Sequence, residues 1–385
     1  MRTVDPLLLD QVRTQLARDP GPVSPGRVAA AVRAAGAVLG DLGLLDVVEA
    51  LRAELVGVGP LEPLLADPAV TDICVNGDRG VWVDRGDGLE RVPVTIGGEA
   101  DVRRLATRLA ATAGRRLDDA SPYVDARLPG GIRVHAVLPP LAQGGTHLSL
   151  RVPHRRSLTL ADLSDGGTVP PSWVPVLRDV VLRRCAFLVT GGTGSGKTTV
   201  LASLLSVVPG AERIVVVEDC TELHIDHPHV VRLESRPPNV EGQGGVTMTD
   251  LVRQALRMRP DRLVVGEVRG AEVRELLTAL NTGHEGGCGT VHANAAGDVP
   301  ARLEALGGLA GLGREAVQAQ AVGALQVVLH LRRSGHLRRL VEIGVVQGDP
   351  GGLRVQPALV ADPGDPSGDG RRGPGWPRLR ELLAR

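Results

Sequence analysis

The stretch GGTGSGKTT occupies Gly191 to Thr199. Its glycines allow successive backbone N–H groups to turn inward around an anion, and the apolar helical run VLASLLS that follows adds the positive end of a helix. A strand-like run, CAFLVT, stands directly before it. The spacing is G-x-x-x-x-G-K-[ST] in the strand–loop–helix context that a phosphate-cradling loop requires. The chemistry this implies is binding of ATP phosphates by Gly192, Thr193, Gly194, Ser195, Gly196, Lys197, Thr198 and Thr199. Lys197 would bridge the outer phosphates, and the Thr198 hydroxyl would ligate Mg²⁺. Lys197 is the one lysine among 44 basic residues, the rest being arginines. In a chain that uses arginine wherever either residue serves, a lone lysine marks a place that needs a compact ammonium. The competing reading is a glycine-rich turn without a ligand.

Phosphate chemistry needs acids and a water-orienting group on neighbouring strands. RLVVGE delivers Glu267 at the end of an apolar run, and RIVVVED delivers Glu218 and Asp219 in the same way. Open α/β sheets place their ligands at such strand ends. Glu267 is expected as general base or water-orienting residue, and Glu218 as a supporting carboxylate of the Mg²⁺ shell, directly or through water. The alternative for either is a strand-end acid paired with an arginine. His292 ends the run GTVHA, where it would sense the γ-phosphate. His284 follows a helical stretch with apolar Val273, Leu276, Leu277 and Leu280. A lone histidine serves structure as readily as chemistry. The trio His224, His227 and His229 reads as polar surface rather than a metal site.

Residues 1–45 carry apolar residues at helical spacing, and the helical pattern continues from Leu44 to Val56. Residues 46–152 then read as a smaller α+β domain: short strands at Thr71–Asn76, Val81–Asp84 and Leu89–Val92, a helix over 100–113, and the hairpin YVDARL-PGG-IRVHAVL followed by THLSLRV. Residues 153–171 read as a linker with a short helical turn at Ser157–Leu163, residues 172–346 as an α/β domain of buried strands, and residues 347–385 as a flexible Gly/Pro-rich tail with a short terminal helix. If the PGG turn closes symmetrically, Arg127 faces Arg133, and Arg151 joins them on the polar face of the next strand. Opposed like charges are unfavourable unless an anion lies between them. The three arginines are expected to clamp ATP phosphates; the alternative is a solvated face paired with acids such as Asp125.

The chain has 385 residues, 44 acids against 44 bases, and five aromatic residues. Two domains are expected, with cores of Leu, Val, Ala and Ile. The balanced charge argues against general nucleic-acid binding. No stretch has the length of a membrane span, and the four scattered cysteines suggest neither zinc nor disulfides.

Together, VDARLPGGIRVHAVLPPLA, GGTGSGKTT, RIVVVEDCTEL, HVVRLESRPPN, LVRQALRMRPDRLVVGEVRGAE and TGHEGGCGTVHAN resemble the type II/type IV secretion ATPase superfamily, and most closely the CpaF-like branch of tight-adherence (Tad/Flp) pilus assembly. The resemblance implies a RecA-like P-loop ATPase domain preceded by a smaller α+β N-terminal domain, and a homo-oligomer in the form of a hexameric ring. It further implies that Glu218 lies in an Asp box, Glu267 in Walker B, His284 and His292 in a His box, and that Arg127, Arg133 and Arg151 are the family's first-domain arginines. The EGGCG loop departs from the family's usual serine- and methionine-containing stretch. The expected function is Mg²⁺-dependent ATP hydrolysis powering pilus assembly or protein secretion, in the cytoplasm and held to the inner face of the plasma membrane through an integral membrane platform protein. The rivals are a conjugal DNA-transfer ATPase and a nucleotide-binding regulatory subunit with little hydrolysis.

Overall fold

In the computed structural model, which describes residues 11–12, 14–15, 25–37, 57–86, 88–153, 157–236, 238, 242–335, 337–349, 351–362 and 370–384, the chain forms two units, Met1–His154 and Arg155–Arg385.

The first unit contains α1 (Pro25–Ala34), α2 (Glu62–Leu65), β1 (Asp72–Asn76), β2 (Val81–Asp84), β3 (Leu89–Val92), α3 (Glu99–Thr112), β4 (Tyr123–Arg127), β5 (Arg133–Val137) and β6 (His147–Arg151). The strands make an antiparallel sheet in the order β3-β2-β1-β6-β5-β4. Their side chains alternate between faces, as a two-residue repeat dictates. Ile73, Val75, Val134, Ala136, Leu148 and Leu150 therefore share one buried face, which packs with Val102, Leu105, Ala106 and Leu109 of α3. Asp101 opens α3 by accepting from the Gly98 N–H at 2.9 Å. Gly130 and Gly131, both at positive φ, turn the hairpin so that Arg127 pairs with Arg133. The helical reading of Leu44–Val56 lies outside the described residues.

The second unit contains α4 (Leu160–Asp165), α5 (Val174–Leu182), β7 (Phe187–Gly191), α6 (Lys197–Leu205), β8 (Ile214–Glu218), β9 (Val230–Glu234), α7 (Met248–Leu256), β10 (Arg262–Val265), α8 (Glu272–Asn281), β11 (Cys288–Val291), α9 (Val299–Leu309), α10 (Arg314–Ala324), β12 (Val327–Ser334), β13 (Leu337–Asp349), β14 (Gly352–Val360), β15 (Arg371–Arg372) and α11 (Trp376–Ala384). The sheet order is β15-β14-β13-β12-β7-β11-β10-β8-β9. The six strands from β12 to β9 run parallel. The inner strands β7, β8, β10 and β11 are covered on both faces, so they are buried throughout rather than alternating. Phe187, Val189, Ile214, Val216 and Val264 face α4, α5, α6 and α11. Leu188, Val215, Val217, Leu263 and Val265 face α7 to α10.

Two expectations about this unit are corrected. The stretch 153–171, read as a linker, is in large part core: Thr159 caps α4 by accepting from the Asp162 N–H at 3.1 Å, and Leu160, Leu163 and Val169 are buried in the second unit. The stretch 347–385, read as a flexible tail, supplies the end of β13 and all of β14, β15 and α11. Leu353, Ala358, Leu359, Leu379 and Leu382 are buried, and β14 pairs antiparallel with β13. The Gly, Pro and Asp residues that suggested flexibility cluster at 362–369, of which 363–369 lie outside the described residues. The terminal helix was expected and is α11.

Candidate functional site

Parallel strands bring their C-terminal ends to one edge of the sheet, and the loop 192–196 leaves β7 at that edge. Gly191 has no room for a side chain: a Cβ there would stand 2.5 Å from the Leu331 carbonyl oxygen and 2.6 Å from Ser195 Oγ. Gly196, at φ 92°, is the left-handed residue that turns the chain into α6, a conformation that costs glycine little. Lys197 is the first residue of α6, and its Nζ donates to the carbonyl oxygens of Gly191 at 3.1 Å and Gly192 at 3.0 Å. Burial pulls its pKa down, Arg269 adding to that and the charges of Glu267 and Glu222 opposing it. An ammonium held by carbonyls in a partly dry loop is poised to exchange them for phosphate oxygens.

β11, beside β7, carries His292 past its end, and β10, the next strand, carries Glu267. His292 Nε2 lies 3.4 Å from Lys197 Nζ and 2.7 Å from Glu267 Oε1. Among the described residues Glu267 Oε1 has no aligned hydrogen bond, although the His292 ring is within ion-pair distance. Its other oxygen pairs with Arg269. Burial would raise the Glu267 carboxyl, but the Arg269 hydrogen bond and charge, with His292 and Lys197, outweigh it and hold the group below its ordinary value. His292 is pushed down by burial and by Lys197 against the pull of Glu267, so it is neutral at pH 7. The site thus holds a cation, a neutral imidazole and a carboxylate within reach of one another.

The structure does not gather every expected residue here. His284 precedes β11 whereas His292 follows it, which puts His284 at the opposite edge of the sheet. Its N–H meets the Ala279 carbonyl at 3.4 Å behind α8. Glu218 ends β8, separated from β7 by β11 and β10, or about 14 Å at the usual strand spacing. Its Oε1 accepts from the backbone N–H groups of Glu222 at 3.0 Å and Leu223 at 2.9 Å, so the carboxylate ties down its own following loop. Its Oε2 is buried without a hydrogen-bond partner among the described residues, and burial pushes the carboxyl up to about 7. The Glu218 side chain lies against Gly266, the residue before Glu267: a Cβ there would stand 2.5 Å from Glu218 Cγ.

Among the described residues no group of three His, Cys, Asp or Glu side chains is placed to hold a metal ion. Thr198, next to Lys197 at the start of α6, offers a hydroxyl oxygen, a donor type that suits Mg²⁺ beside phosphates and water. His224, His227 and His229 bond to backbone or to Arg213, as a polar surface would. None of the described helices is long and apolar enough to cross a membrane.

In the first unit, Arg133 stands opposite both Arg127 and Arg151 across the ladders. Arg133 Nε donates to Asp125 at 3.0 Å, and Arg151 Nε donates to Asp72 at 3.2 Å. The acid pairing weighed for this face is present.

Two residues escaped the sequence reading. Arg269 sits two positions after Glu267, a spacing that returns its guanidinium to the carboxylate. Glu222, four after Glu218, acts electrostatically on both Lys197 and Arg269. The motif -E-V-R- held the first signal; nothing short of the loop's curl reveals the second.

Residues 54–339 match the family model described as Type II/IV secretion system protein. The Mycobacterium tuberculosis protein Rv3659c, provisionally named as a conjugal transfer protein, is 53% identical over 334 residues, covering 85% of this chain and 95% of its own. The type IV secretion system protein PtlH of Bordetella pertussis is 36% identical over 260 residues, covering 61% of this chain and 76% of its own. Among solved structures, that of the pilus retraction motor PilT with bound ADP matches with a TM-score of 0.53 at 22% identity, covering 77% of this chain and 80% of PilT. The expected fold, a smaller α+β domain before a RecA-like domain, is thereby shown.

Proposed function

The chain belongs to the Type II/IV secretion system protein family, and on that premise we propose that it is a Mg²⁺-dependent ATPase that drives a secretion or pilus-assembly machine. The observation that carries the reading is the contact of Lys197 with His292 and of His292 with Glu267, at the mouth of a loop built to hold phosphates.

In this reading the backbone N–H groups from Gly192 to Thr199 hold the polyphosphate, and Lys197 leaves the Gly191 and Gly192 carbonyls to bridge its outer phosphates. Glu267, kept ionised by Arg269, orients the attacking water and receives its proton. Neutral His292, between Lys197 and Glu267, donates toward the γ-phosphate and reports its presence. Mg²⁺, held by Thr198 and the phosphates, would neutralise charge on the terminal phosphates.

Membership in a Tad/Flp-type, CpaF-like branch, a hexameric ring, and attachment from the cytoplasm to an integral membrane platform are further parts of the proposal. A conjugal DNA-transfer role is the second reading, favoured by the name of Rv3659c. A nucleotide-binding regulator is the third, and turnover separates it from the others. The test is ATP turnover by the purified chain over a range of protein concentrations, with its assembly state measured in parallel. Specific activity that rises as a ring forms supports the motor. A fully assembled, nucleotide-binding chain with no turnover, also in the presence of membranes bearing its platform protein, rejects it.

A further inference from the structure

The proposed site leaves four arginines unused. β12 and β13 form a hairpin beside the phosphate loop, and its register sets Arg333 opposite Arg338 and Arg332 opposite Arg339. Like charges directly across a ladder destabilise it unless an anion offsets them. Among the described residues, the hydrogen bonds of the first pair go to backbone oxygens rather than acids: Arg333 Nε to Gly335 at 3.0 Å, and Arg338 Nε to Gly194 at 3.0 Å.

The two pairs occupy opposite faces. Leu331 and Leu340, two residues from Arg333 and Arg338, lie in the core beneath α6, so these arginines share the α6 face. Nη1 of Arg333 is 3.1 Å from where a side chain at Gly194 would begin, and Cδ of Arg338 is 3.5 Å from the same point at Gly196. Arg332 follows His330 on the other face, where its charge helps to depress the imidazole that burial already lowers.

Strand order gives the pair its direction. β7 lies between β11 and β12. The β11 side carries His292 and, one strand on, Glu267, the groups assigned to the terminal phosphate. The β12 side therefore faces the nucleoside end of a nucleotide in the loop. We infer that Arg333 and Arg338 bind the α- and β-phosphates of a nucleoside di- or triphosphate from that side, as a cationic wall complementing Lys197. This rests on the nucleotide-site reading above. A guanidinium fork suits the role because it meets two phosphate oxygens at once.

The test is binding of fluorescent ADP to the full chain, in the wild type, in Arg333→Gln/Arg338→Gln and in Arg332→Gln/Arg339→Gln. The first double variant removes the wall and should weaken binding at least about tenfold; the second removes equal charge from the other face and should stay within about twofold of wild type. Arg333→Lys/Arg338→Lys should recover part of the loss by restoring charge without the fork. Wild-type affinity in the first variant overturns the inference, and so does equal weakening in both, which would mark a diffuse field instead of a wall. Should the double variant fail to fold, Arg333→Gln alone, an exposed side chain bonded within its own turn, carries the same comparison with a smaller expected loss of about threefold or more. A wild type that binds no nucleotide rejects the site reading itself, an outcome distinct from either.

Discussion

Lys197 and Glu267 each sit where chemistry outweighs stability. The lysine gives up hydration for two loop carbonyls, and the glutamate is half-enclosed between Arg269 and His292. Glu218 illustrates the cost of burial more sharply. Its carboxyl rises from an ordinary 4.5 to about 7, so the folded chain binds this proton more tightly than the unfolded chain. The group costs nothing below the unfolded value. The cost then grows as pH rises through this window and reaches roughly 3 kcal/mol above pH 7. Glu218→Gln keeps the acceptor for Glu222 and Leu223 and is expected to melt higher than wild type at pH 8 and alike at pH 4.5; equal melting at both would contradict this. At this scale the sequence exposed Lys197, Glu267 and His292, because strand ends and the loop motif are local patterns. It did not show how far Glu218 and His284 stand from the loop, since the distance of one strand from another is set by sheet order.

The elements show the same division. Continuous apolar runs identified β7, β8, β10 and β11 because a strand covered on both faces must be apolar throughout. The symmetrical PGG turn fixed the Arg127–Arg133 pairing. The C-terminal strands are hidden in the sequence because the Gly/Pro-rich insert after β14 dilutes its apolar residues. That segment is structural: α11 packs Leu379, fully buried, against the sheet. Leu379→Ala is expected to destabilise the second unit by about 2–5 kcal/mol and to lower its melting temperature by roughly 2–4 °C per kcal/mol. A change below 1 °C would return this helix to the status of a dispensable tail.

For the molecule as a whole, neutral net charge hides two concentrations of arginine, one along the first unit's sheet and one on the β12–β13 hairpin. The contacts of the first-unit row are with acids of its own sheet. An exposed pair such as Arg133–Asp125 contributes at most about 1 kcal/mol to stability. Arg133→Gln should therefore melt within about 3 °C of wild type, while turnover falls about tenfold or more if the row acts on phosphates; unchanged turnover would reduce it to a solvated face. In the proposed function Glu267 performs the hydrolytic step in a site assembled around Lys197. The most direct measurement is steady-state phosphate release from Mg-ATP by wild type beside Glu267→Gln, with nucleotide affinity measured on the same samples. Turnover is expected to fall about 10²–10⁴-fold with affinity kept within about threefold. Turnover at the wild-type rate in Glu267→Gln would contradict that role.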